Sequence, residues 1–166
     1  MRTRAPLLLL SLSAAGLVGI ATFEGYSGTA NQPLPGDKPT YGFGSTTRAD
    51  GQPVKIGDKI TPDAALVRAY ADVKVFEGAL RECVKVPLHQ HEYDAFVSFS
   101  YNVGSGAFCK SGLVKKLNAG DYAGACNELL RWRFYQGKDC AAPANRCGGL
   151  YARRQAERRQ CLGDAP

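Results

Sequence analysis

The sequence predicts an α+β domain with a small N-terminal β-hairpin lobe and a larger helical C-terminal lobe, and three observations carry that prediction. Between Phe23 and Gly57 there is no helical period, because Gly25, Gly28, Pro33, Pro35, Gly36, Pro39, Gly42, Gly44 and Gly51 interrupt the chain. From Thr61 onward apolar residues return every three or four positions, the spacing of amphipathic helices. The 166 residues, 45% hydrophobic and 22% charged, supply one core and contain no repeat, low-complexity tract or linker. That balance excludes a disordered tail and a collagen-like rod.

The irregular part contains one hairpin signal. Thr40 to Thr47 and Pro53 to Ile56 read as strands joined by the Asp50-Gly51 turn. Thr61-Pro62-Asp63 then opens a helix: the hydroxyl caps, Pro suits the first turn, and Asp faces the positive end of the dipole. Its expected buried stripe is Leu66, Tyr70, Val73, Phe76, Leu80 and Cys83, with an end near Pro87. Tyr93, Phe96, Val97, Ser100, Tyr101 and Val103 mark a helix apolar over most of its circumference, hence a central one, before the Gly104-Ser105-Gly106 break. Leu113, Val114 and Leu117 form a short amphipathic turn, and Asp121 caps the next helix, with Tyr122, Ala125, Cys126, Leu129, Leu130 and Trp132 facing inward. The last helix, Leu150 to Leu162, carries Arg153-Arg154, Glu157 and Arg158-Arg159.

The N-terminus points out of the cytoplasm. Arg2 and Arg4 precede a run from residue 5 to 23 without a charge, which is the pattern of an export signal. Gly19 and Ala21 fit a peptidase site, yet the run is almost long enough to span a bilayer, so a cleaved signal and a retained anchor both stand. Gly, Ala and Ser dilute the leucines and make the anchor a weak one. Six cysteines, all downstream of the run and none in a CxxC pair, fit three disulfides in an oxidising compartment. They allow fifteen pairings, of which proximity singles out Cys140 with Cys147. His89 and His91, the only histidines, lack zinc-ligand spacing, so no metal and no cofactor are expected.

A net charge of +6, with a pI near 9.1, draws the protein to polyanions: nucleic acid, anionic lipid and anionic cell wall. Few acids precede the first long helix. Glu24, flanked by Phe23 and Tyr26, has an apolar setting that suits a general acid, whereas Asp37 lies in a Pro-Gly turn where Asp commonly serves the backbone. No serine–histidine–carboxylate set and no phosphate loop is present; beside the commoner state of a glutamate facing solvent, the sharp alternative is two carboxylates acting on a glycosidic bond.

Glu24-Gly25, a Pro- and Gly-rich loop and then Thr40-Tyr41-Gly42-Phe43-Gly44 resemble the active-site stretch of the phage-type lysozymes, glycoside hydrolase family 24. Tyr101 to Phe108, Leu117 to Tyr122, Arg131-Trp132 and Gly149-Leu150 with Arg153-Arg154 are similar to that family's helical lobe, in the same order. With the weak anchor, the chain looks most like the signal-arrest-release endolysins.

The resemblance implies a lysozyme-like fold, residues 1–23 as a signal-anchor segment and 24–166 as the catalytic domain. It implies a muramidase cleaving the β-1,4 bond between N-acetylmuramic acid and N-acetylglucosamine of peptidoglycan for host lysis. Glu24 would be the acid and Thr40 would position water. The family spacing puts a second acid at position 33, which is Pro33 here, and the Glu-to-Thr interval is one residue longer. Asp37 is therefore the replacement candidate, ahead of Asp50. An arginine, Arg153 or Arg154, would pair with the catalytic Glu, and Cys83 would join Cys109 and Cys126 join Cys161.

The implied chain is a monomer that takes peptidoglycan as partner and not nucleic acid. It is tethered to the bacterial inner membrane through residues 5–23 and then periplasmic. Two other classes compete: a lytic transglycosylase, which needs one Glu and leaves 1,6-anhydro ends, and a non-catalytic cationic wall-binding protein favoured by charge alone.

Overall fold

Gly25, at φ +70°, ends the first helix, α1 (Ala14–Glu24), by donating its N–H to Ala21 O at 3.0 Å, so Glu24 is the last helical residue. The structure, a computed structural model, describes residues 3–32 and 36–164. Arg2 of the basic flank, together with Pro33 and Pro35, lies outside them. The chain divides into two units, Ala14–Val75 and Met1–Ser13 with Phe76–Pro166.

In the hairpin unit, β1 (Ser27–Asn31) pairs antiparallel with β2 (Thr40–Gly42). The expected pairing of 40–47 with 53–56 survives only in part: Thr47 bridges Pro53, Val54 N–H reaches Thr46 O at 2.9 Å, and the Asp50-Gly51 turn is closed by Gly51 N–H to Arg48 O at 3.0 Å. Gly42 and Gly44, at φ +61° and +85°, bend the chain directly after β2, so that strand cannot run on to Thr47. Its ladder partner instead comes from the segment read as loops and short strands. Ala30, Tyr41 and Val54, with Ile60 against them, form the core of this unit.

The long helix α2 (Pro62–Cys83) starts at the expected Thr61-Pro62-Asp63. Its buried stripe differs from the hydropathy reading: Leu66 and Tyr70 are exposed, and Ala65, Ala69, Val73, Glu77 and Leu80 are buried. The reason is close approach. A Cβ on Gly42 would lie 2.9 Å from the Ala65 Cβ, so β2 comes down on a small residue that a larger one would push away. Counting large apolar groups selects the wrong face wherever backbone packs on alanine.

In the helical unit, α3 (Gln90–Val103) is buried at every residue from Glu92 to Ser100, the central helix the sequence predicted. Around it follow α4 (Ser105–Cys109), α5 (Gly112–Asn118), α6 (Tyr122–Glu128), a small hairpin of β3 (Phe134–Tyr135) and β4 (Lys138–Asp139), and α7 (Gly148–Leu162). Ser111 caps α5 and Asp121 caps α6, accepting from Val114 N–H at 3.2 Å and Gly124 N–H at 2.8 Å. Phe99 meets Phe108 and Trp132 edge-on at 6.2 and 5.2 Å between centroids. Disulfides join Cys83 to Cys109, Cys126 to Cys161 and Cys140 to Cys147. These are the local pair suggested by proximity and the two pairs implied by the resemblance.

The first part of the uncharged N-terminal run, up to Ser13, belongs to the helical unit. Ala5 and Leu88 exchange backbone hydrogen bonds at 2.8 and 2.9 Å, and Leu7 and Leu10 are buried. Three buried acids of the helical unit receive the segment: Arg4 binds Glu92 by Nε at 3.0 Å and Nη2 at 2.7 Å, Leu12 N–H donates to Glu77 at 2.7 Å, and Ser13 donates by N–H and Oγ to Asp94 at 3.0 and 2.6 Å. A boundary at residue 23/24 falls in the last turn of α1. Among the described residues, no helix is long and apolar enough to cross a membrane.

Candidate active site

Glu24 and Thr40 line one pocket of about 390 Å³ in the hairpin unit, together with Tyr26, Ser27, Asn31, Tyr41, Gly42 and Gly44. Helix α1 supplies the acid at its C-terminus and β2 supplies the threonine at its first residue. The turn after β2 brings bare backbone to the carboxylate: a Cβ on Gly44 would stand 3.2 Å from Glu24 Oε2. Phe23 and Tyr26, expected to give the acid an apolar setting, are themselves exposed at 40% and 44%. Tyr26 packs its ring on Phe43 at 5.7 Å and donates its hydroxyl to Ile60 O at 2.7 Å.

The structure brings Glu24 and Thr40 together and leaves the two aspartates elsewhere. Asp37 is exposed in the loop before β2, is not among the described residues lining the pocket, and accepts from Gln32 Nε2 at 2.9 Å through its backbone carbonyl. Asp50 accepts from Gln52 N–H at 3.0 Å and pairs with Arg48 at 3.1 Å, and these contacts hold its carboxyl below the usual range. It serves its own turn. Position 33 lies outside the described residues.

Arg153 and Arg154 are not solvated surface charges; they are 6% and 0% exposed on α7. Within the helical unit they bracket the fully buried Glu157, with Arg153 Nε at 3.1 Å and Arg154 Nη2 at 3.0 Å, and Ser98 Oγ donates to the same carboxylate at 2.9 Å. Burial pushes the Glu157 carboxyl up, and the two guanidiniums oppose that shift. The sequence showed Glu157 between arginine pairs but gave no sign that all three side chains go inside. His89 and His91 stack on each other at 5.2 Å. Among the described residues, no group of three His, Cys, Asp or Glu is arranged to hold a metal ion.

Sequence reasoning also missed the supports of the Glu24 pocket. Gly44 was visible in the Thr-Tyr-Gly-Phe-Gly motif, but only the fold shows what it touches. Asp72 is one more acid on a helix surface in the sequence; in the fold it holds Ser45, the residue after Gly44, at 2.5 Å.

A helix-borne acid facing a threonine-led strand, in an α+β chain with a larger helical part, defines a lysozyme-like glycoside hydrolase. Residues 21–157 match the phage lysozyme family, and the chain belongs to that family. An endolysin of Acyrthosiphon pisum secondary endosymbiont phage 1 is 38% identical over 151 residues, covering 90% of this chain and 96% of that protein. A SAR-endolysin of Pseudomonas phage phiKMV is 34% identical over 151 residues, covering 90% and 87%. Among solved structures, the endolysin from Escherichia coli O157:H7 phage FAHEc1 superposes with a TM-score of 0.80 at 36% identity, over 95% of this chain and 98% of that one. The protein is accordingly a muramidase that acts on peptidoglycan in host cell lysis.

Proposed function

We propose that Glu24 is the general acid of this muramidase and that the enzyme is a signal-arrest-release endolysin. Glu24 gives its proton to the glycosidic oxygen as the bond to C1 breaks. A water held by Thr40 attacks C1 from the opposite face and passes its proton to a second carboxylate, for which Asp37 is the candidate. The observation that carries the assignment is the shared pocket of Glu24 and Thr40 with Gly44 against the carboxylate. Glu24→Gln is expected to lower the rate on purified peptidoglycan by about 100-fold or more. Full activity in that variant overturns the assignment.

Tethering rests on a different observation. Leu8, Leu9 and Val18 are exposed at 84%, 77% and 65%, so their apolar side chains do little for the fold while making residues 5–23 insertable. In this reading the run holds the exported chain at the inner membrane, and its exit lets the Glu24 loop form and the catalytic cleft assemble in the periplasm. Fractionating cells before and after depolarisation is expected to move full-length protein from membrane to soluble fraction. A shortened soluble species present from the start overturns tethering in favour of a cleaved signal.

A further inference from the structure

We infer that Ser45 and Asp72 are positioning residues for Glu24, holding the turn after β2 against its carboxylate. The inference rests on Glu24 being the acid.

The turn Tyr41-Gly42-Phe43-Gly44-Ser45 is closed at its base by two backbone hydrogen bonds, Tyr41 N–H to Ser45 O at 3.2 Å and Ser45 N–H to Tyr41 O at 3.0 Å. At its tip, Gly44 offers bare backbone to Glu24, close enough that a Cβ there would reach Oε2 at 3.2 Å. The location of that tip decides how much room the carboxylate has. Two contacts with α2 set it. Gly42 rests on Ala65, and Ser45, only 2% exposed, donates its hydroxyl to Asp72 Oδ2 at 2.5 Å.

Ala65 and Asp72 are seven residues apart, two turns along one helix face, so the turn is pinned to a rigid element at two separated points. Asp72 is itself fixed. Its other oxygen, Oδ1, accepts from Arg68 Nε at 3.0 Å and from Arg68 Nη2, while Arg68 Nη1 reaches Arg48 O at 3.4 Å. A carboxylate gripped on one oxygen by a guanidinium presents the other in a constant direction, which a lone surface aspartate does not. Without the Ser45 hydroxyl the turn keeps its own backbone closure and its contact with Ala65, so the chain still folds. The tip is then free to drift by tenths of an ångström, which is the scale on which a general acid loses its alignment.

A purely structural role predicts lower stability at constant turnover; a positioning role predicts lower turnover beyond the stability loss. Ser45→Ala, Asp72→Asn, the double variant and Ser111→Ala are assayed for kcat and KM on soluble chains of alternating N-acetylglucosamine and N-acetylmuramic acid, with Tm measured alongside. Ser111→Ala removes a helix cap in the helical unit and supplies the stability control. Ser45→Ala is expected to lose about tenfold in kcat with KM within about twofold. The double variant should lose no more than the worse single one, because both break one link. Ser111→Ala should lower Tm with kcat unchanged. Wild-type kcat in Ser45→Ala well below its Tm overturns the inference. Should that variant not fold, wild-type kcat in Asp72→Asn does so instead. Glu24→Gln separates the two readings: a dead Glu24→Gln beside a fully active Ser45→Ala removes the positioning role alone, whereas an active Glu24→Gln removes the acid assignment.

Discussion

Gly44 and Glu24 meet backbone to carboxylate: a side-chain carbon at position 44 would lie 3.2 Å from Oε2, and the glycine holds φ +85°. Gly44→Ala therefore carries two penalties. The left-handed backbone costs a non-glycine residue about 1–2 kcal/mol, and the new methyl displaces the acid. Gly51→Ala carries the first penalty without the second, since Gly51 is at φ +81° with nothing within 4 Å. Both variants should lose similar stability by urea denaturation, and only Gly44→Ala should lose activity, by about tenfold or more.

The second carboxylate is decided by comparing Asp37→Asn, Asp50→Asn and Thr40→Ala on peptidoglycan. Asp50 is engaged with Arg48 and its own turn, so Asp50→Asn is expected to keep full rate. Thr40→Ala, within the pocket, should lower kcat. If Asp37 takes the water's proton, Asp37→Asn should fall by about 100-fold; a full rate ends its candidacy.

Arg4 reaches Glu92 with Nε and Nη2 and lies over the Tyr122 ring at 3.5 Å, and Glu92 is only 3% exposed. Removing the guanidinium leaves a buried acid without its counter-charge, with the His89 N–H at 2.8 Å still donated to Oε2. Arg4→Met should cost about 2–3 kcal/mol in urea denaturation of the released enzyme, well above the effect of an ordinary surface substitution. A change under about 0.5 kcal/mol would show that the N-terminal contacts do not hold in solution.

Glu128 accepts from Lys116 Nζ at 2.7 Å and from Arg131 Nη1 at 3.4 Å, and Lys116, then Arg131, holds its carboxyl below the usual value. A folded-state pKa below the unfolded one contributes stability that is present above the unfolded pKa and lost as pH falls through the folded one. Stability should therefore decline on acidification below about pH 4.5, and Glu128→Gln should flatten that limb. Lys116 and Arg131 are 44% and 78% exposed, so screening limits the difference to about 1 kcal/mol or less, shrinking with salt. An unchanged acid limb in Glu128→Gln removes the group from the account.

The helical unit was largely legible because its determinants are local. The full burial of α3 is written in Tyr93, Phe96 and Val97, and the cap of α6 in Asp121, since period and capping chemistry act within a few residues. The hairpin unit was less so. The pairing of Thr40–Gly42 with Ser27–Asn31 and the burial of Ala65 in place of Leu66 depend on how closely two backbones approach, which side-chain hydropathy does not record. Glu24 stands out in the sequence by its apolar flanks and Thr40 by the motif that carries it, and in the fold both line one pocket. Ser45 with Asp72 is a long-range pairing between residue types common on any surface, and composition gives no reason to join them. Glu157 meets its arginines three and four residues away on one helix, and what the sequence does not record is that this charged face is the one that turns inward.

Leu7, Leu10 and Ile20 have places in the folded protein, whereas Leu8, Leu9 and Val18, in the same stretch, face water. If the stretch also resides in lipid before release, its residues divide into two sets with separate duties. Substitutions at 8, 9 and 18 can lengthen or shorten residence in the bilayer while leaving the finished enzyme as stable and as fast as before. The moment of lysis then becomes adjustable at a few exposed positions, independently of the machinery that cuts the wall.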